Sequence, residues 1–313
     1  MPVQACGILH HALMASPRFE SYIQKKRELI DQTLDSLVPQ PSQEPCVIHE
    51  SMRYSVFAGG KRLRPILAVA AYEIAGGVAE AILPVACGLE LIHTYSLIHD
   101  DLPCMDDDDM RRGQPTNHKV YGEGIAVLTG DALLTLAFEC FLGRGQAGHS
   151  LLRDTLARLA GRVAAAAGSL GLVGGQVMDI AGFPRDRQLS TLETTCYLKT
   201  GRLIEVSLET GAVLAKANEA TLRSLAGYGR SLGLAFQITD DILNVTGNSK
   251  ALGKAVKSDA SHQKVTFAEL LGVEQAGVQA KACIAKAKES LAPLGEKAWF
   301  LKELADFVLE RQS

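Results

Sequence analysis

Apolar positions recur at three- and four-residue intervals along almost the whole chain, and the two-residue alternation of a strand is nearly absent. The spacing predicts helices over residues 18–37, 46–57, 64–75, 83–101, 126–142, 151–172, 176–180, 192–215, 219–245, 274–291 and 299–310. Breakers fall between them. Pro39, Pro41 and Pro45 mark a linker, Gly59-Gly60 ends the second helix, Pro103 stops the helix at Asp101, and Gly174-Gly175 punctuates an Ala-rich run. Pro65 is tolerated in a first turn. No fixed-period repeat is visible. The pattern predicts an all-α fold, a single-domain bundle of antiparallel helices around a central cavity over residues 19–313. Residues 1–18 read as a loosely ordered extension.

Composition narrows the function classes. The 313 residues are 47% hydrophobic and 21% charged with a formal net charge of −3. That is ample for a sizeable core and too near neutral for a general nucleic-acid binder. Any anion site must then be a local cluster of Lys and Arg. Seven cysteines, odd in number and without a CxxC, point to a reducing, cytoplasmic setting with no disulfide frame and no zinc site. No unbroken run of about 18 apolar residues predicts a membrane span. The first sixteen residues lack the basic start of a signal peptide.

Two aspartate clusters stand against this background. Asp100-Asp101-Leu102-Pro103-Cys104-Met105-Asp106 and Asp240-Asp241-Ile242-Leu243-Asn244 each follow a core-like helix. Carboxylates set against an apolar wall cost free energy unless a cation neutralises them. Two such clusters suggest hard metal ions gripping a polyanion, and Mg²⁺ suits one or two carboxylates plus phosphate oxygens. Asp107, Asp108 and Asp109 read instead as a solvated run. Asp100 and Asp101 lie about 100° apart on a helix and splay. Beyond Pro103 the chain can fold Asp106 back towards the same ion. Gln237, Asp240, Asp241 and Asn244 fall at i, i+3, i+4 and i+7, on one stripe.

Cations accompany both clusters. Arg111 and Arg112 follow the first directly, and arginine is the preferred fork for phosphate. Gly59-Gly60-Lys61-Arg62-Leu63-Arg64-Pro65 sets glycines beside three cations at a helix start, where free amides favour anions. It lacks the Walker spacing. His93 lies on the face of Asp100. Lys254, Lys257 and Lys264 line a Gly-containing loop after the second cluster. Gln176, Asp179 and the Lys199-Thr200-Gly201 step add polar groups to otherwise apolar helices.

Taken together, GGKRLRP, DDLPCMD with its trailing RR, GDALL, GGQVMD, KTG, FQITDDILN and LGKAVKSD, in that order from about Glu20 onward, resemble the trans-prenyl diphosphate synthases, most closely bacterial farnesyl diphosphate synthases. The resemblance implies the all-α isoprenoid synthase fold, a homodimer, and three Mg²⁺ per active site. It implies condensation of isopentenyl diphosphate with an allylic diphosphate, dimethylallyl or geranyl. Asp100, Asp101 and Asp106 would ligate Mg²⁺ on the allylic diphosphate, and Asp240 and Asp241 the remaining Mg²⁺. Arg111, Lys199 and Lys254 would hold the allylic diphosphate. Lys61, Arg64, His93 and Arg112 would form the isopentenyl pocket, with Gly60 and Lys264 also binding substrate and Arg311 near it. Thr200 and Gln237 would lie beside the developing cation.

Two positions depart from the pattern: Asn244 where a third aspartate is usual, and Phe267 where many relatives carry tyrosine. Tyr95, five residues before Asp100, is an aromatic of the kind that resembles the floor of a fifteen-carbon site. A geranylgeranyl synthase and a non-catalytic subunit of a heteromeric synthase are the alternatives. A class I terpene cyclase would not need Lys61, Arg64 and the second Asp pair.

Overall fold

The structure, a computed structural model, describes residues 16–144, 153–182, 188–246 and 265–310. Among the described residues the chain is all-α apart from one small hairpin. In order the helices are α1 (Pro17–Leu37), α2 (Cys46–Val56), α3 (Leu63–Ile74), α4 (Leu83–Asp100), α5 (Asn117–Tyr121), α6 (Glu123–Phe141), α7 (Arg153–Ala167) and α8 (Leu172–Ile180). They continue with α9 (Leu189–Cys196), a π-turn (Tyr197–Gly201), α10 (Arg202–Leu214), α11 (Glu219–Thr246), α12 (Phe267–Leu271), α13 (Val273–Ser290) and α14 (Trp299–Glu310).

Two apolar clusters explain the helical periodicity, a main core and a smaller one formed by Leu192, Ile238, Phe267, Ala276 and Ala280. α4 is buried on nearly every face, from Leu83 to Ile98, because it runs through the middle of the bundle. It packs on α6 and α3, α10 packs on α3 and α11, and α13 lies along α11. Glycine permits the closest of these approaches: a Cβ on Gly211 of α10 would overlap the Ala68 carbonyl oxygen of α3. α1 begins at an N-cap, Ser16, whose Oγ accepts from the Phe19 amide at 3.2 Å. Phe19 then stacks on Phe300 of α14, with ring centroids 5.4 Å apart, tying the first helix to the last.

Three expectations change. Gly174-Gly175 lies inside α8 and does not break it. The break falls at residues 168–171 instead. The predicted helix over 192–215 is interrupted by the π-turn. Two-residue strands β1 (Met110–Arg111) and β2 (Gln114–Pro115) form a hairpin too short for any alternation to show in the sequence. Glu123–Phe141 and Arg153–Ile180 are long and apolar enough by length and composition to cross a bilayer, although charged residues interrupt both. The first is packed along α4, and the second is split into α7 and α8.

Candidate active site

α4 and α11 deliver the two aspartate clusters, and the structure gives adjacent aspartates different tasks. Asp100 ends α4 half-buried. Loss of hydration pushes its carboxyl up to about 6, with Asp106 adding repulsion and the Lys199 ammonium and Arg111 guanidinium opposing it. The loop closes as expected: the Asp106 amide donates to the Asp100 carbonyl oxygen at 2.8 Å. Asp101, 3% exposed, turns to Arg111 and accepts from its Nε at 2.6 and 2.7 Å. Burial disfavours the Arg111 charge, but the Asp101 pairing together with the Asp108 and Asp100 charges outweighs it and holds the guanidinium above its ordinary value.

Arg111 and Arg112 are aimed by the hairpin. Its turn residues Arg112 and Gly113 both have positive φ, 54° and 78°. That matches a primed turn, which normally takes Asn-Gly. Arginine in this left-handed position costs about 1 kcal/mol or more. From this turn the Arg112 guanidinium reaches across to the Gly59 carbonyl oxygen, to which its Nη1 donates. Gly60, φ 132°, must be glycine here, since a Cβ would come within 2.7 Å of that guanidinium.

The residues expected to form the isopentenyl pocket gather on this side. Burial, reinforced by the charges of Arg64, Arg112, Arg111 and Arg62, holds the His93 imidazole well below the ordinary histidine value, so it is neutral at neutral pH. Burial lowers the Arg64 guanidinium to about 10, with Glu90 opposing and Arg112 assisting. Arg64 Nε is buried with no partner. Lys61 is exposed on the same loop. Arg62 was expected among the three cations of an anion site at this helix start, and the structure turns it inward instead, to Glu90 and Asp31, two residues that sequence reasoning gave no role. Arg62 is 3% exposed. Its Nε donates to Asp31 Oδ1 at 2.8 Å, Nη1 to Glu90 Oε1 at 3.2 Å and Nη2 to the Val56 carbonyl at 2.8 Å. It is consumed as an internal strut that fixes the Gly59–Lys61 loop. The signal was present: Glu90 is an acid inside the apolar run Val85–Ile92, and a buried charge needs a partner.

Lys199 and Thr200 sit in the π-turn, a wide turn that π-bulges often supply at functional sites. Two glycines clamp it. A Cβ on Gly175 of α8 would overlap the Lys199 backbone, and one on Gly233 of α11 would lie 2.6 Å from Gly201 Cα. The turn directs Lys199 Nζ to Asp179 at 2.6 Å and within electrostatic reach of Asp100. Thr200 Oγ1 donates to Gln237 Oε1 at 3.4 Å, and Gln237 Nε2 donates to Asp241 Oδ1 at 2.9 Å. Asp241, expected beside a metal, is 4% exposed and also accepts the Phe267 amide at 2.8 Å, anchoring α12. Asp240 and Asn244 are half-buried on the same stripe of α11. Lys254, Lys257, Lys264 and Arg311 lie outside the described residues.

The donor set can be tested for Mg²⁺. Among the described residues no three His, Cys, Asp or Glu side chains gather to hold an ion alone. Mg²⁺ does not require that, since it takes one or two carboxylates and completes its shell with phosphate oxygens and water. A half-buried Asp100 whose charge is disfavoured, with Asp106 looped back beside it, is a hard-oxygen pair that gains from a divalent ion. The residues fit.

Comparison with known proteins agrees. The polyprenyl synthetase family model matches residues 45–298. A dimethylallyltranstransferase from Fischerella ambigua is 46% identical over 93% of this chain and 83% of its own length. A geranylgeranyl diphosphate synthase from Cyanophora paradoxa is 42% identical over 94% and 96%. The apo crystal structure of a FPP/GFPP synthase from Zymomonas mobilis superposes with a TM-score of 0.82 at 36% identity, covering 93% of this chain and 99% of that one.

Proposed function

The chain belongs to the polyprenyl synthetase family, and within it we propose a Mg²⁺-dependent head-to-tail condensation of isopentenyl diphosphate with dimethylallyl or geranyl diphosphate that stops at farnesyl diphosphate. Prenyl-chain elongation is common ground; the stopping point is the finer reading. It is carried by Tyr95, which is 6% exposed on α4. Burial, and then the nearby Asp100 charge, raise its phenol above the ordinary value. His99, one turn on, meets the Tyr95 ring edge-on at 5.7 Å. Its own Nε2 lies 3.0 Å from the Val127 carbonyl of α6. A Cβ on Gly130 of α6 would overlap the His99 ring, so that glycine makes room for the brace.

The mechanism follows from the charges. Bound Mg²⁺ would neutralise the departing diphosphate and lower the barrier to breaking the allylic C–O bond. Asp100 and Asp106 would hold it, with Asp240 across the mouth. Arg111 and Lys199, pre-placed on Asp101 and Asp179, add fixed positive charge beside the leaving group. Arg64, Arg112, Lys61 and neutral His93 hold the second diphosphate, so its double bond is aligned with the allylic C1. The Thr200 hydroxyl and the Gln237 carbonyl, fixed by Asp241, face the cation. The proton lost from the adduct goes to the departing diphosphate.

A geranylgeranyl product is the second reading, favoured by the Cyanophora paradoxa relative. We also propose a homodimer, with a second copy covering the exposed apolar residues Val127 and Leu128 of α6 and Val173, Val177 and Ile180 of α8. Sizing the products from purified protein, Mg²⁺, isopentenyl diphosphate and each allylic primer tests the reading. Fifteen carbons are expected, shifting to twenty or more in Tyr95→Ala. A wild type making mainly twenty-carbon product decides for the second reading, and no condensation with any primer refutes both.

A further inference from the structure

Gln176 on α8 is a buried amide with nothing to bind. It is 8% exposed, and neither Oε1 nor Nε2 has a hydrogen-bond partner. A buried polar group left unpaired keeps its full desolvation penalty. Native proteins tolerate few such groups, and each calls for a reason. Here both ends of one side chain are unpaired.

Its position supplies the reason. Val173, Val177 and Ile180 are exposed and define the outer face of α8. The opposite stripe, Leu172, Gly175, Gln176 and Asp179, is the inner face. Leu172 joins the main apolar core. Asp179 pairs with Lys199 Nζ at 2.6 Å. Gly175 presses on the Lys199 backbone, which holds this stripe against the π-turn. The Gln176 amide therefore lies where the apolar interior meets the cationic mouth. The contrast with Gln237 is direct. That amide donates to Asp241 and accepts from Thr200, so its orientation is already set. Gln176 has no such tether.

We propose that Gln176 is a further catalytic residue whose hydrogen bonds are completed only by the allylic diphosphate. Nε2 donates to an oxygen of the departing diphosphate beside Lys199, and Oε1 is left facing the allylic carbon that becomes positive. Both contacts strengthen as the C–O bond breaks, which is what lets them lower the barrier. This rests on the prenyl-transfer reading above.

Gln176→Met removes both polar ends at similar volume and separates this role from a structural one. Three measurements on the full-length protein suffice: thermal unfolding without ligand, its shift with geranyl diphosphate and Mg²⁺, and steady-state kinetics. The variant should melt about 2 °C or more above wild type, since two unpaired groups are gone. Its kcat should fall about 10- to 100-fold, the geranyl diphosphate shift should shrink, and KM for isopentenyl diphosphate should stay put. An unchanged kcat, or a variant that melts below wild type, overturns the proposal, the latter because buried water would then be satisfying the amide. A wild type that condenses no prenyl substrate would instead defeat the prenyl-transfer reading. The melting comparison would still report whether Gln176 is unpaired.

Discussion

Asp100→Asn should make the metal-free protein more stable at neutral pH while abolishing turnover. The Asp100 carboxyl is raised from 3.8 to about 6, chiefly by burial. The folded state therefore binds a proton more tightly than the unfolded chain. Between those two values the folded form holds more protons, so stability falls as pH rises and levels off above about 6. At about 1.36 kcal/mol per pH unit, the gap of 6 − 3.8 is worth about 3 kcal/mol above pH 6. Asparagine keeps the shape and discards that penalty. Urea denaturation in EDTA should show the variant ahead by up to about 3 kcal/mol at pH 7.5, with the lead vanishing near pH 4. Adding Mg²⁺ with inorganic pyrophosphate should stabilise wild type more than the variant. Asp101→Asn is the internal control with the opposite sign. It strips the carboxylate from the buried Arg111 pair and should destabilise by about 3 kcal/mol. An Asp100→Asn protein that is no more stable than wild type at pH 7.5, or whose lead grows towards low pH, would refute this account of the site.

Two further outcomes follow. His93 is held well below its ordinary value, so the unfolded chain binds the extra proton below pH 6.5 and stability is lost as pH falls, by up to about 1.4 kcal/mol per pH unit; His93→Gln should flatten that loss in urea midpoints taken at pH 7.5, 6.5 and 5.5. Gly175→Ala should lower both melting temperature and kcat by forcing α8 off the Lys199 backbone, whereas Gly161→Ala on α7, where a Cβ meets nothing within 4 Å, should be neutral or stabilise by up to about 1 kcal/mol.

Much of this molecule was legible before any coordinates. The all-α architecture follows from apolar spacing alone, because a helix must bury one stripe wherever it lies. α1, α11 and α14 begin and end within a residue of their expected bounds. The need of the two Asp pairs for partners was legible too, since carboxylates against core-like helices have no cheap explanation without them. Only the tertiary structure decided what each carboxylate does. Asp100 and Asp101 are neighbours in sequence, yet one faces Lys199 and the other is taken by Arg111, a choice made by a hairpin turn ten residues on. Asp241 sits on the same stripe as Asp240, yet the Phe267 amide arriving from another helix gives it an anchoring task. The π-turn left no trace in the periodicity, because it exists to fit between Gly175 and Gly233, residues distant in sequence. Local pattern determines which face a helix buries; which partner meets a given side chain depends on elements that only folding brings together.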